Sequence, residues 1–147
     1  MRRFIAVLAV LALFCSMPEA RAEKVDLSPE NLLKTATHVV VGEVVQIYTR
    51  KENTANREIT HYVAEVRVKK AEKGEGLKEE GLIYVRYFTK RWTGSGMMPP
   101  DTNGHRGLPE VGTTLRIYLA CNAYNGFGET KDGGFDVIGA NGFERLP

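Results

Sequence analysis

The three histidines of this chain are the residues whose type points most directly to a metal site. No short metal-binding spacing surrounds them, since the sequence contains no HExxH, HxH, CxxC or EF-hand loop. If the two predicted strands that hold His38 and His61 pair through the polar segment 50–57, His61 lies opposite Gln46. His38 is then about 26 Å away along its strand, at roughly 3.3 Å per residue. We therefore expect surface histidines that bind no metal, and no other cofactor.

Nucleophilic catalysis needs an accessible nucleophile beside a base. Ser95 lies in a segment, 93–97, that lacks the GxSxG spacing and follows no strand-to-helix turn. Cys121 lies in an apolar strand pattern, which predicts a buried and unreactive thiol. A pair with His105 can be drawn, but an inward thiol on a strand would be poorly accessible. The sequence therefore favours a protein that is not an enzyme.

A candidate ligand site stands at the two ends of the irregular segment 89–112. Arg91 and Trp92 begin it, and His105 and Arg106 lie near its other end. A tryptophan beside cations can stack on a sugar ring or bind an acidic peptide or glycan, and long loops are often functional. These four residues are candidate ligand contacts. The sequence favours the other interpretation, in which Trp92 packs down as a lid on the open end of a barrel.

Residues 1–22 have the pattern of a secretory signal peptide. Two arginines precede an apolar run, Phe4–Cys15, and Ala20-Arg21-Ala22 places small residues before a cleavage after Ala22. The run reaches only about 18 Å, well short of the roughly 30 Å core of a bilayer. We therefore expect a single domain, 23–147, exported to the periplasm or the exterior with no membrane span after cleavage. An uncleaved N-terminal anchor is the alternative.

Cleavage would change both the charge and the cysteine count. The chain has 20 Lys and Arg against 18 Asp and Glu, and loss of residues 1–22 leaves 17 of each. Such an even mixture of charges does not predict a basic surface patch of the kind that binds nucleic acid or anionic lipid. Cys15 would be lost with the signal, so Cys121 would have no intramolecular disulfide partner.

The elements expected after the signal are one short helix and five strands. Ser28 suits an N-cap and Pro29 the first helical position, which predicts about two turns ending near Ala36, with Leu32 and Leu33 against the core. The alternation of apolar residues and the turn signals predict strands over 38–48, 59–71, 82–88, 114–123 and 135–138, with Phe143 packing back on them.

This order of elements predicts a mainly β fold. Gly42 interrupts the first strand, as glycines do at bulges and barrel corners. Five strands, such a corner and a minor helix favour a small five-stranded OB-like barrel with one short N-terminal helix. An open β-sandwich is the alternative.

Several stretches resemble the netrin and tissue-inhibitor-of-metalloproteinase type of OB-fold module, in the form found in bacterial exported proteins. They are residues 36–44, 62–66, Lys73-Gly74 and 108–112 before the strand over 115–119. The resemblance implies a barrel. It does not imply metalloproteinase inhibition, because those inhibitors chelate zinc with an amino-terminal cysteine and the predicted terminus here is Glu23.

The function expected from the sequence is that of an exported, non-enzymatic binding or cell-envelope interaction module. Its partner would be an unknown protein, peptide or glycan outside the cytoplasm, and not a nucleic acid. A small exported hydrolase or metal-dependent enzyme is one alternative, and a purely structural envelope protein is another.

Overall fold

A computed structural model describes residues 25–99, 104–121 and 134–147. The predicted signal peptide and its cleavage position, Ala22, lie outside the described residues. The described part holds one helix and six strands: α1 (Pro29–Thr35), β1 (His38–Asn53), β2 (Arg57–Lys73), β3 (Leu82–Trp92), β4 (Thr114–Cys121), β5 (Phe135–Val137) and β6 (Phe143–Arg145).

Five of the strands form a ring-like sheet. The strand order is β1-β2-β3-β5-β4, and β4 pairs again with β1. Within the ring the pairs are antiparallel, except for the parallel pair of β3 and β5. The ring confirms the small OB-like barrel and not the open sandwich. Phe143 packs back as predicted and is buried, within a sixth strand, β6, that pairs with β4.

The helix α1 packs on the outside of the barrel wall. It begins where the sequence predicts, because the Ser28 hydroxyl accepts a hydrogen bond from the Asn31 amide at 3.3 Å. Leu32 and Ala36 are buried one turn apart, in a small second cluster that includes Val39. The prediction that Leu33 also contacts the core is wrong, since its position one residue on turns it about 100° away, and it is 53% exposed.

Gly42 is required by a close approach between β1 and β2. The register of the pair shifts between Val41 and Gly42, which confirms the predicted irregularity. A Cβ atom at Gly42 would lie 2.4 Å from Val66 Cγ1 and 3.0 Å from the Arg67 carbonyl oxygen. The wall of the barrel therefore has no room for a side chain at this position.

Replacing Gly42 with alanine is expected to lower the free energy of unfolding by about 1–3 kcal/mol, because the added methyl group must push β2 away. Chemical denaturation of the variant measures the loss. A midpoint equal to that of the parent would show that the two strands separate without cost.

β1 and β2 continue beyond the ring as one long hairpin. Asn53 pairs with Glu58, so the connecting loop is only Thr54–Asn56, and the predicted loop over 50–57 is wrong. Because this loop is shorter than predicted, the register between β1 and β2 also differs from the predicted one. His61 pairs with Arg50 and not with Gln46, which carries His61 still farther from His38 along the strands.

Three strands alone form the projecting part of the sheet. β1 pairs with β4 only over His38–Glu43, and in the described ranges no strand pairs with that edge of β1 beyond Val44. We call residues 49–53 of β1, 57–62 of β2 and 88–92 of β3 the arm. Thr93 N donates to Asn56 O at 2.9 Å, so the chain leaves β3 beside the hairpin loop. The irregular segment predicted from residue 89 therefore begins only after Trp92.

Candidate functional site

Two tyrosines pack against the core of the barrel at the base of the arm. Tyr62 and Tyr87 stack with ring centroids 4.8 Å apart and planes 4° from parallel. Burial raises the pKa of Tyr87 well above its ordinary value. Along the arm the side chains then alternate between the face that continues this interior, the inner face, and the outer face.

The inner face of the arm carries an ion-pair ladder across three strands. Glu58 accepts from Arg91 Nε at 3.3 Å, and Lys51 Nζ lies 3.7 Å from the other carboxylate oxygen of Glu58. The hydrogen bond from Arg91 lowers the pKa of Glu58. Arg91 remains 70% exposed, so its guanidinium is still available to a partner.

Trp92 lies on the outer face, paired with Arg57 at the end of the arm. The register places its side chain on the face opposite to the one that holds the Tyr62–Tyr87 pair. The indole is half-buried, and the backbone of Gly94 passes so close that a Cβ there would lie 2.5 Å from Trp92 Cζ2. Its Nε1 is buried and has no hydrogen-bond partner among the described residues.

Replacing Trp92 with alanine is expected to lower the free energy of unfolding by about 2 kcal/mol, since the half-buried ring packs against the following loop. Trp92→Phe keeps most of that packing and removes the buried N–H, so its stability should stay within about 1 kcal/mol of the parent. Thermal unfolding of the two variants checks both values. Equal losses would show that stability depends on the full two-ring shape of the indole, which phenylalanine cannot replace.

His105 is buried, contrary to the expectation of surface histidines. Its backbone N–H donates to Phe88 O at 2.8 Å. Its Nδ1 accepts from Phe88 N at 3.1 Å, and Nε2 lies 3.0 Å from Val137 O, to which it donates in that tautomer. The imidazole of His105 therefore links β3 to β5 just beyond the last residues at which the two strands pair. Gly104 permits this approach, because a Cβ there would lie 2.2 Å from Phe88 O.

The four predicted ligand contacts do not form one patch. Arg91 and Trp92 stand together on the arm. His105 meets β3 at Phe88, four residues or about 13 Å back from Trp92. Arg106 forms an ion pair with Asp26, and its backbone N–H donates to Ala140 O. The structure thus places Arg91 and Trp92 side by side along β3, on opposite faces of the arm, and the other two residues elsewhere.

The end of the arm has a feature that the sequence analysis missed. Met97 is 94% exposed and Met98 is 59% exposed, in the loop that leaves Trp92. Over residues 49–62 and 88–99 there are five basic side chains against two acidic ones, a net charge of +3. We call this end the tip patch. It consists of Arg50, Lys51, Arg57, Lys90, Arg91, Trp92, Met97 and Met98.

A second polar surface lies on the outer face nearer the ring. Tyr48 and Tyr84 are each about half exposed, and Glu65 stands between them on β2. The Tyr48 hydroxyl donates to Glu65 Oε1 at 3.2 Å, and this carboxylate raises the pKa of Tyr48. Two aromatic rings beside a carboxylate resemble a sugar-stacking surface, although one ring is already held by the hydrogen bond.

Cys121 is exposed at the mouth of the barrel, so the prediction of a buried thiol is wrong. It is the last residue of β4. At the end of a strand, a side chain on the inner face is not necessarily buried by neighbouring strands. Its Sγ lies 3.7 Å from Nδ1 of His38, and the Thr37 hydroxyl lies 2.9 Å from the same nitrogen. Nε2 of His38 lies 3.1 Å from Glu75 O. The base beside this thiol is therefore His38 and not His105.

The third histidine also departs from the prediction. His61 is 7% exposed, and its Nε2 lies 3.2 Å from the Glu52 carboxylate. Across residues 25–99, 104–121 and 134–147, no group of three or more His, Cys, Asp or Glu side chains is placed to hold a metal ion.

No family model, curated protein or solved structure matches this chain. The resemblance to the netrin and tissue-inhibitor-of-metalloproteinase module therefore stays a prediction, and the site has to be interpreted from its own geometry. Within the part of the chain that the structure describes, no helix is long and apolar enough to span a bilayer.

Proposed function

We propose that this protein is an exported, non-enzymatic binding module of the cell envelope, which holds its partner with the arm. The tip patch is the observation that carries this proposal. It combines exposed apolar side chains with a local excess of positive charge, on a part of the sheet that projects from the barrel. Exposed apolar groups beside unbalanced charge are typical of interaction surfaces.

The distribution of charge supports the same function. After loss of residues 1–22 the chain would be neutral, with 17 basic and 17 acidic side chains. Since residues 49–62 and 88–99 carry +3, the remainder of the processed chain, including Asp101 farther along the same loop, carries −3. Such a molecule presents the arm first to an acidic partner, because the field orients it during approach.

A thiol-dependent hydrolase is the second candidate, and the Cys121–His38 pair favours it. With Nε2–H donating to Glu75 O, the lone pair of Nδ1 faces the thiol and can accept its proton. This site stands at the mouth of the barrel on β4, whereas the tip patch lies at the end of the arm, so variants separate the two functions.

Co-sedimentation with isolated envelope fractions tests the binding function. We expect the exported protein to sediment with at least one fraction, and Arg50→Gln/Arg91→Gln to weaken this binding about tenfold or more. Lys70→Gln/Lys78→Gln removes the same charge from an exposed segment outside the arm and should leave it unchanged. Absence of sedimentation, or equal loss in both double variants, would overturn the proposal. Hydrolysis of an ester or peptide substrate that Cys121→Ser abolishes would instead favour the hydrolase.

A further inference from the structure

We infer that the tip patch docks end-on against an anionic lipid surface, with Met97 and Met98 entering the headgroup region. This inference rests on the proposed binding function and names its partner as a membrane surface. It concerns a peripheral contact of the exported domain, distinct from the N-terminal apolar segment.

The apolar part of the patch is placed as an inserting loop requires. Met97 and Met98 are adjacent, and the first is almost fully exposed. Both lie in the loop that follows Trp92, which starts at the hairpin end because Thr93 N donates to Asn56 O. Unbranched thioether side chains adapt readily to an irregular apolar environment such as the boundary between headgroups and acyl chains.

Cations lie on both faces of the arm from which this loop leaves. Arg50 lies on the outer face, whereas Lys51 and Arg91 lie on the inner face, as their register with β2 shows. Their long side chains can extend toward phosphate groups while the loop is inserted. Each Lys or Arg near an anionic leaflet strengthens binding about fivefold.

A lipid surface fits this distribution better than an acidic peptide or glycan. A polymer that lies on a sheet contacts one face of it, and here that would leave the cations of the other face unused. A plane approached by the end of the arm contacts both faces at once. Trp92 then lies beside the inserted loop, at the level where indole rings favour the interface between water and lipid.

The test uses protein recovered from the exported fraction, with its N-terminus determined by mass spectrometry. Binding is measured by flotation with vesicles of equal parts phosphatidylglycerol and phosphatidylcholine, and with vesicles of phosphatidylcholine alone. We expect binding to the first only, weakening as salt is raised. Since the chain has a single tryptophan, brominated lipids in the anionic vesicles should quench Trp92 fluorescence.

Two pairs of variants separate the contributions. Met97→Ser/Met98→Ser should weaken vesicle binding at least tenfold, whereas Val25→Ser/Val111→Ser, which alters exposed apolar residues elsewhere, should not. Arg50→Gln/Arg91→Gln should weaken it about 30-fold, from about fivefold per charge, and Lys70→Gln/Lys78→Gln should have little effect. Circular dichroism and the unfolding midpoint confirm that each variant is folded.

The results of these experiments distinguish failure of the lipid inference from failure of the proposed binding function on which it rests. Failure to bind anionic vesicles, together with arm-dependent binding to an envelope fraction or to polyglutamate, overturns the lipid inference and leaves the binding function standing. Failure to bind any of these probes overturns both. Vesicle binding that the methionine and arginine variants do not weaken also overturns the inference, since another surface would then be responsible.

Discussion

Arg86→Met is expected to lower the free energy of unfolding by about 3–5 kcal/mol, because it removes the buried guanidinium that pairs with the Asp136 carboxylate. Arg86 is 6% exposed and Asp136 is 2% exposed, and the two meet across the parallel pair of β3 and β5. Arg86 Nη2 donates to Asp136 Oδ2 at 3.3 Å, and Arg86 Nε lies 3.2 Å from Oδ1. Denaturant unfolding measures the loss.

The double variant Arg86→Met/Asp136→Leu is the control for this first prediction. It removes both charges and fills a similar volume, so most of the stability lost in the single variant should return. If the double variant is as unstable as the single one, the packing of the arginine stem is responsible and not the lost ion pair with Asp136. Comparison of the single and double variants therefore separates the effect of the lost charge from the effect of the changed side-chain volume, where β3 and β5 pair in parallel.

His105→Ala is expected to lower the free energy of unfolding by about 3 kcal/mol, since it removes the buried hydrogen bonds that the imidazole makes to two backbone groups. The imidazole accepts from Phe88 N and donates to Val137 O, and an alanine side chain can make neither hydrogen bond. Thermal and denaturant unfolding check the size of the effect.

His61→Ala provides the matched comparison, because His61 is buried to a similar extent but its Nε2 faces the half-exposed carboxylate of Glu52. A smaller loss is expected there, since Glu52 can be hydrated when the ring is removed. The proposed role of His105 would be contradicted by a loss no larger than that of His61→Ala.

The fold was largely predictable because local signals dominate it. Ser28 and Pro29 begin the helix as expected, and the alternating residues of β2 place Ala64, Val66 and Val68 in the core. The buried face of the helix was predicted too wide, because a short helix on the outside of the barrel wall buries only one narrow stripe, which does not include Leu33.

The histidines and the cysteine were predicted wrongly for a shared reason. Strand alternation assigns a side chain to a face but does not show what covers that face. His61 and His105 are covered by neighbouring segments, whereas Cys121, at the last pair of β4 with β5, is exposed. Its partner, His38, lies 83 residues earlier in the chain, a separation that no motif spacing reveals.

The candidate ligand contacts stay a prediction. Arg91 and Trp92 were identified from the composition of one loop end, and the structure places both at the end of β3, on opposite faces of the arm. The cations of β1 and β2 could not be added to them from the sequence, because the hairpin was expected to turn earlier, near residue 50. The register of the actual hairpin brings Arg50, Lys51 and Arg57 to the same end of the sheet.

The sequence by itself determined the class of the fold, the capped helix and the glycine corner of β1, because alternation, caps and steric demands act between near neighbours. Only the tertiary structure decided where charge accumulates. A chain whose predicted processed form is neutral becomes polarised when three strands project beyond the barrel. This is a property of strand register, and register depends on pairing between residues distant in sequence.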